Sequence, residues 1–193
     1  KVYWNDIPFT DPTGSTAFNL LDVINLGSIE VIKGPAGSIY GSGTGGIVKI
    51  NSFPRGDKSN LVELGAMLGS YGLQRYTANI QQSNDQNRWA VRYAHQQAQG
   101  YRDHTELDRD VLELRGEFDL SDQHTVSASF LYSDLFYEIP GGLTLEQFEE
   151  NPRQARPGNA FVMGSEDANA SIDQEYVLIG LTNEYSWNEH LKN

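Results

Sequence analysis

From residue 61 onward apolar and polar residues alternate with a period of two, which predicts strands that show an apolar face on one side and a polar face on the other. Over 112–120, Leu112, Leu114, Gly116, Phe118 and Leu120 fall on one side; Glu113, Arg115, Glu117 and Asp119 fall on the other. Over 125–133 the sets are Val126, Ala128, Phe130, Tyr132 against Thr125, Ser127, Ser129, Leu131, Ser133. Trp89, Val91 and Tyr93 oppose Arg88, Ala90, Arg92 and Ala94. Val62, Leu64, Ala66, Leu68 and Tyr76, Ala78, Ile80 read likewise, and Val177, Ile179, Leu181 open a sixth segment that ends near Tyr185 and Trp187. Between these segments, 83–87 and 121–123 are tight polar turns, whereas 97–108 is longer and 138–174 much longer. Short turns at one end and long loops at the other are the habit of transmembrane β-barrels, although the connection at Ser70-Tyr71-Gly72 is shorter than that scheme expects.

Residues 1–53 follow another pattern. Residues 1–7 predict a strand stopped at Pro8, 10–16 a loop with Asp11-Pro12 and Gly14, and 18–24 one or two helical turns. Short strands follow at 29–33 and 47–50, so this part reads as a small α+β unit. A polar Pro/Gly segment, 54–60, separates it from the alternating part and marks the expected domain boundary. Within the longest loop, Thr144-Leu145-Glu146-Gln147 has the form of a capping box, and Pro152 should end the helix it starts.

Composition narrows the chemistry. The net charge is −12, from 14 basic and 26 acidic residues, which argues against a nucleic-acid partner. There is no cysteine, hence no disulfide framework and no thiolate metal site. His95, His104, His124 and His190 show no metal-ligand spacing, Asp103, Asp108 and Asp110 lack the spacing of a calcium loop, and no nucleophile elbow is present. Neither an enzyme nor a cofactor or metal site is expected. Gly41-x-Gly43-x-x-Gly46 matches a dinucleotide fingerprint only in form, because a strand-like segment and not a helix follows it.

Several motifs together carry a family resemblance. Ile29-Glu30-Val31-Ile32-Lys33-Gly34-Pro35, then Tyr40-Gly41, then Gly45-Gly46-Ile47-Val48-Lys49-Ile50 resembles the plug signature of TonB-dependent outer-membrane receptors. Val2-Tyr3-Trp4-Asn5-Asp6-Ile7-Pro8 resembles the strand before the plug's apical loop; Gly69-Ser70-Tyr71-Gly72, Ala90-Val91-Arg92-Tyr93 and Gly100-Tyr101-Arg102-Asp103 resemble early barrel strands and a loop. Pro140-Gly141-Gly142-Leu143-Thr144 and 151–157 are similar to the ferric-citrate and ferric-siderophore branch. The resemblance implies a mainly β protein: a fragment of an antiparallel transmembrane barrel of about 22 strands with a small α+β plug. Residues 1–53 would be the C-terminal part of the plug, 54–60 a linker, and 61–193 the first six or so barrel strands, with a long loop at 138–174. It implies TonB-dependent uptake of a ferric chelate across the outer membrane of a Gram-negative bacterium. The partners would be the chelate, outer-membrane lipid and the TonB complex, whose contacting segment lies outside this sequence. Cobalamin or another nutrient as cargo, a signalling receptor of the same fold, and a soluble β-sandwich binding module are the alternatives.

On that reading the Leu112–Leu120 apolar set faces lipid, its charged partners face the plug, and Trp89, Tyr132, Tyr185 and Trp187 belong to interfacial girdles. Thr13, Ser15, Thr16 and Phe18 would present hydroxyls and a flat ring to the ligand from the plug apex. Arg92, Arg102 and Arg109, near the long-loop end, could grip carboxylates bidentately or form wall salt bridges. The loop at 138–175 carries eight acidic residues against Arg153 and Arg156, so either it is not the surface that binds an anionic ligand or those two arginines act on the ligand locally. Lys33 could pair with barrel carboxylates and help lock the plug.

Overall fold

The computed structural model describes residues 1–34, 40–41, 45–53, 60–188 and 191–192. Pro35 of the signature, the middle of the Gly-rich segment, residues 54–59 of the proposed linker, and His190 lie outside the described residues.

The N-terminal part is a four-stranded sheet of β1 (Val2–Trp4), β2 (Ile7–Pro8), β3 (Ser28–Lys33) and β4 (Gly46–Asn51), in the order β2-β1-β4-β3. The single strand expected over 1–7 is a hairpin instead. Asn5 and Asp6 both adopt positive φ, 49° and 65°, and pair Trp4 with Ile7. Two consecutive left-handed residues make the tight turn whose twist suits a hairpin, and Asn and Asp tolerate that region without glycine. β1 runs parallel to β4, with Val2 opposite Val48, and β3 runs antiparallel to β4. Two short 3-10 turns, Phe18–Leu20 and Val23–Asn25, occupy the expected helical segment.

The alternating part is a meander of β5 (Leu61–Leu68), β6 (Gln74–Ser83), β7 (Asn87–Ala98), β8 (Leu107–Ser121), β9 (His124–Glu138), β10 (Ser171–Asn188) and the two-residue β11 (Leu191–Lys192). They form one open antiparallel sheet in chain order. The long loop is ordered. Helix α1 (Leu145–Glu150) has the full capping box, with Thr144 Oγ1 accepting from the Gln147 amide and Gln147 Oε1 accepting from the Thr144 amide.

The first sheet packs on one face of the second. Val2, Trp4, Phe9, Leu20, Leu21 and Ile50 form a single apolar cluster with Val111, Leu131, Leu135 and Leu178. Gly180 on β10 makes that approach possible, since a Cβ there would sit 1.8 Å from Ile7 Cδ1.

Among the described residues, the other face of the large sheet is bare. Val62, Leu64, Leu114, Phe118, Leu120, Val177, Ile179 and Leu181 are all exposed, the last two by more than 70%. The parity read from β8 holds: Glu113 and Arg115 are buried toward the first sheet while Leu114 and Phe118 face out. This apolar face has a vertical limit. Register aligns Tyr93, Leu112, Tyr132 and Val177 in one outward row, and the next row toward the long loops is Tyr76, His95, Asp110, Asp134 and Glu175. The eight residue steps from Leu120 to Leu112 correspond to about 27 Å along the strand, or about 21 Å along a membrane normal at a strand tilt of about 40°. That approaches the roughly 25 Å apolar band of outer-membrane barrels. Trp187 packs edge-on to Tyr185 at the short-turn end, 5.0 Å between centroids.

Candidate functional site

The loop between β2 and the first 3-10 turn is built around one carboxylate. Asp11 Oδ1 accepts from the Thr13 amide (2.8 Å), the Thr13 hydroxyl (2.6 Å) and the Ser15 amide (3.0 Å). The Asp11 amide donates to Ser15 O, and Gly14, at φ +91°, donates back to Asp11 O. The Thr13 hydroxyl, and then the Ser15 amide, hold the Asp11 carboxyl below its ordinary value. Thr16 shares a hydrogen bond with Thr10, whose hydroxyl accepts from the Val2 amide. Thr13 and Thr16 therefore spend hydroxyl contacts on shaping the loop. Ser15 Oγ accepts from Thr13 on the exposed side, and the Phe18 ring is 54% exposed. Beneath the loop an open groove of about 960 Å³ runs between Phe9, Thr10, Thr13, Thr16 and Tyr176. Phe9 and Tyr176 meet edge to face at 5.7 Å across the contact between the two sheets.

The three arginines picked from sequence do not converge on this loop, and each is engaged internally. Arg92 lies in mid-strand and not at the rim. It is buried against Glu113 (3.4 Å) and Gln81 (3.2 Å), with its guanidinium near the Phe53 ring. Arg102 donates to the carbonyls of Gly141, Gln154 and Pro140, so it ties the 99–106 loop to the long loop. Arg109 donates to the carbonyls of Asn19 and Leu21 (both 3.1 Å) and to Asp22 Oδ2 (2.6 Å). Arg153 and Arg156 likewise hold loop backbone, at Tyr101 O and Met163 O.

The signature residues have structural work. Gly46, at φ +130°, crosses β3 so closely that a Cβ would sit 2.6 Å from Ile32 O. Gly34 and Gly41 also have positive φ. Tyr40 offers its carbonyl to the Tyr3 hydroxyl and its ring to Lys49, which pairs with Asp6. Glu30 sits opposite Lys49 in the β3–β4 register, and Gly45 directly precedes β4. Lys33 is exposed and pairs with no carboxylate among the described residues. The charged lock between the sheets has the opposite polarity: the carboxylate is in the small unit and the cations are on the wall. Asp22, in its capping box with Asn25, is held by Arg75 (2.5 Å) and Arg109 (2.6 Å), and Asn25 donates to Glu113 (2.7 Å). Sequence reading missed Asp22 and Arg75. The only available signal was Asp22-x-x-Asn25, which predicts a cap and says nothing of a distant partner.

On the outward face, His95, Asp108 and Asp110 bring one ligand atom each within 4.8 Å of one another. Residue spacing could not reveal this, because the three come from two strands. Asp110 is already bonded by the Tyr93 hydroxyl and by His95.

Residues 1–48 match the family model of the TonB-dependent Receptor Plug Domain. The fold of nearly the whole chain is found in solved structures. The ferric citrate transporter FecA in its unliganded form matches with a TM-score of 0.71 at 19% identity, over 97% of this chain and 28% of that one. The ferric-catecholate import receptor Fiu of E. coli K12, open form, matches at 0.68 and 20%, over 97% and 29%. P. aeruginosa FpvA bound to a heterologous pyoverdine matches at 0.66 and 19%, over 97% and 26%. The chain thus spans little more than a quarter of the length of each.

Proposed function

We propose that this chain, whose first 48 residues are a TonB-dependent receptor plug domain and whose fold is that of these receptors, serves the active uptake of a ferric chelate across the outer membrane of a Gram-negative bacterium. Residues 1–53 are the plug portion, 54–60 its tether, and 61–193 the first strands of the barrel. One observation carries the reading. A small sheet is packed on the face of a strand meander that joins an apolar cluster to the buried charges of Arg92 and Glu113, while the other face is, among the described residues, bare and apolar over a membrane-like height. A soluble sandwich would bury that second face as well.

In this reading the outward Leu, Ile, Val and Phe residues meet lipid tails. The apical loop, with Ser15 and Phe18 exposed and Thr13 and Thr16 shaping it, meets the chelate from below. TonB would supply the energy for uptake. The structures of similar fold are named for ferric citrate, ferric catecholates and a ferric pyoverdine, which sets the chelate class to test first.

The experiment is a binding and uptake screen of the receptor that carries this chain, with ferric citrate, ferric catecholates, ferric pyoverdine and cobalamin, in cells with and without TonB. Energy-dependent uptake of one ferric chelate, weakened in Phe18→Ala, is expected. Binding of cobalamin alone, or a receptor monodisperse without detergent, would overturn the proposal.

A further inference from the structure

The Asp22 carboxylate is buried, with only 1% of its side chain exposed, between two guanidinium groups that both come from the barrel wall. Arg75 stands on β6 and Arg109 on β8, and the register places them in one inward row on either side of Gln96 of β7. Arg75 bonds Oδ1 and Arg109 bonds Oδ2. The wall therefore contains a two-guanidinium site already holding a carboxylate, and that carboxylate belongs to the plug.

Lower on the same inner face the other arginines have anions supplied by the large sheet itself. Arg92 has Glu113, while Arg88 and Arg115 share Glu117. The Arg75–Arg109 pair differs from them, because among the described residues its only carboxylate is Asp22. On the uptake reading, passage of a chelate along this wall requires the small sheet to leave or slide. When it does, two adjacent cations near the long-loop end lose their anion together. Adjacent unpaired cations in a partly buried wall repel each other and favour any carboxylate that arrives.

We propose that Arg75 and Arg109 form a carboxylate-binding station on the barrel wall, which Asp22 occupies while the plug is seated and which a carboxylate-bearing chelate occupies when the plug moves. Asp22 is the built-in stand-in for the cargo's carboxylate. The station lies beside the ligand loop, since Arg109 also holds the carbonyls of Asn19 and Leu21, directly after Phe18. Its role in passage rests on the uptake reading above; its affinity for carboxylate does not.

The test is chemical rescue in the receptor that carries this chain. Asp22→Ala removes the resident carboxylate and leaves space for another. Its melting temperature should fall, and sodium formate should recover half or more of the loss, while sodium chloride at equal ionic strength does not and wild type responds to neither. Asp22→Ala combined with Arg75→Gln and Arg109→Gln should lose the formate response. If Asp22→Ala fails to assemble alone, formate-dependent assembly becomes the readout. Formate acting no better than chloride, in melting or in assembly, overturns the station. These readouts need no transport, so their failure leaves uptake standing, whereas a receptor that takes up no chelate removes the passage role and leaves the carboxylate site.

Discussion

A single methyl group on the inner face of β10 tests how closely the two sheets approach. An ideal Cβ at Gly180 falls 1.8 Å from Ile7 Cδ1 and 2.6 Å from Ile7 Cγ1. Carbon atoms in contact sit about 3.5–4.0 Å apart, so Gly180→Ala forces Ile7 to withdraw by about 2 Å or lifts the β1–β2 hairpin from the wall. Gly180 is not at positive φ, so its backbone accepts alanine. A glycine in a strand interior costs about 0.5–1 kcal/mol relative to alanine, which acts in the variant's favour. Overpacking acts against it by about 1–3 kcal/mol. The nearest atom is the end of a flexible side chain, so the net cost should be about 1 kcal/mol for Gly180→Ala and toward 3 kcal/mol for Gly180→Val. Ile7→Ala removes the obstacle, and the double variant Ile7→Ala/Gly180→Ala should cost no more than Ile7→Ala alone, a coupling of about 1 kcal/mol. Melting of the purified receptor gives the cycle. Hydrogen exchange at the Phe9 amide, which bonds Val2 O at 2.9 Å, reports whether the hairpin has lifted. Gly180→Ala without effect, or a strictly additive cycle, would mean that Ile7 does not lie on β10 and that the plug is docked elsewhere.

Three further outcomes follow from named contacts. Glu113→Gln leaves the buried Arg92 charge facing only neutral acceptors and the Phe53 ring, and breaking a buried pair from one side should cost about 3 kcal/mol, most of it recovered in Arg92→Gln/Glu113→Gln; a single variant that melts like wild type would refute this. The folded Asp11 carboxyl lies below its ordinary value of 3.8, so its contribution to the apical loop is full above that value and is lost as pH falls through the lower folded value. Exchange at the Thr13 and Ser15 amides should therefore accelerate only on strong acidification, and Asp11→Asn should abolish the pH step. Thr144→Ala should cost about 1 kcal/mol, confined to α1; faster exchange at Gln147 with an unchanged global melting temperature is the expected signature, and a shift of the whole melt would contradict it.

What sequence made legible was decided by periodicity. A strand has a fixed period of two, so the sides of Glu113, Arg115, Leu114 and Phe118 could be assigned before any partner was known. The cap at Thr144 was legible for a similar reason, because donor and acceptor lie three residues apart. Asn5 and Asp6 were not, since their left-handed conformations carry no glycine and the flanking residues continue the apolar pattern. Arg92, Arg102 and Arg109 show a deeper limit. A guanidinium on an inward face suits a carboxylate whether that carboxylate belongs to a ligand, a neighbouring strand or the plug, and only the three-dimensional register reveals Glu113 beside Arg92 and Asp22 beside Arg109. The outward group of His95, Asp108 and Asp110 was hidden because ligand spacing in sequence presumes one loop, and these residues meet across a strand pair.

The small sheet meets the large one in two chemistries set side by side. Toward β9 and β10 the contact is apolar, through Leu131, Leu135 and Leu178; toward β6, β7 and β8 it is charged, through Arg75, Arg92, Arg109 and Glu113. An apolar contact gains free energy with buried area and is indifferent to small slips. A buried ion pair gains little net free energy, because desolvation offsets much of the attraction, but it is intolerant of misplacement, since a stranded charge costs several kcal/mol. A slip of one residue along β8 would turn Arg109 to the outward apolar face and present Asp110 or Asp108 to Asp22, placing two acids together where a pair now stands. The charged side therefore sets the position of the small sheet, and the apolar side supplies most of its adhesion, so the two sheets are seated in one register by contacts that add little net free energy of their own.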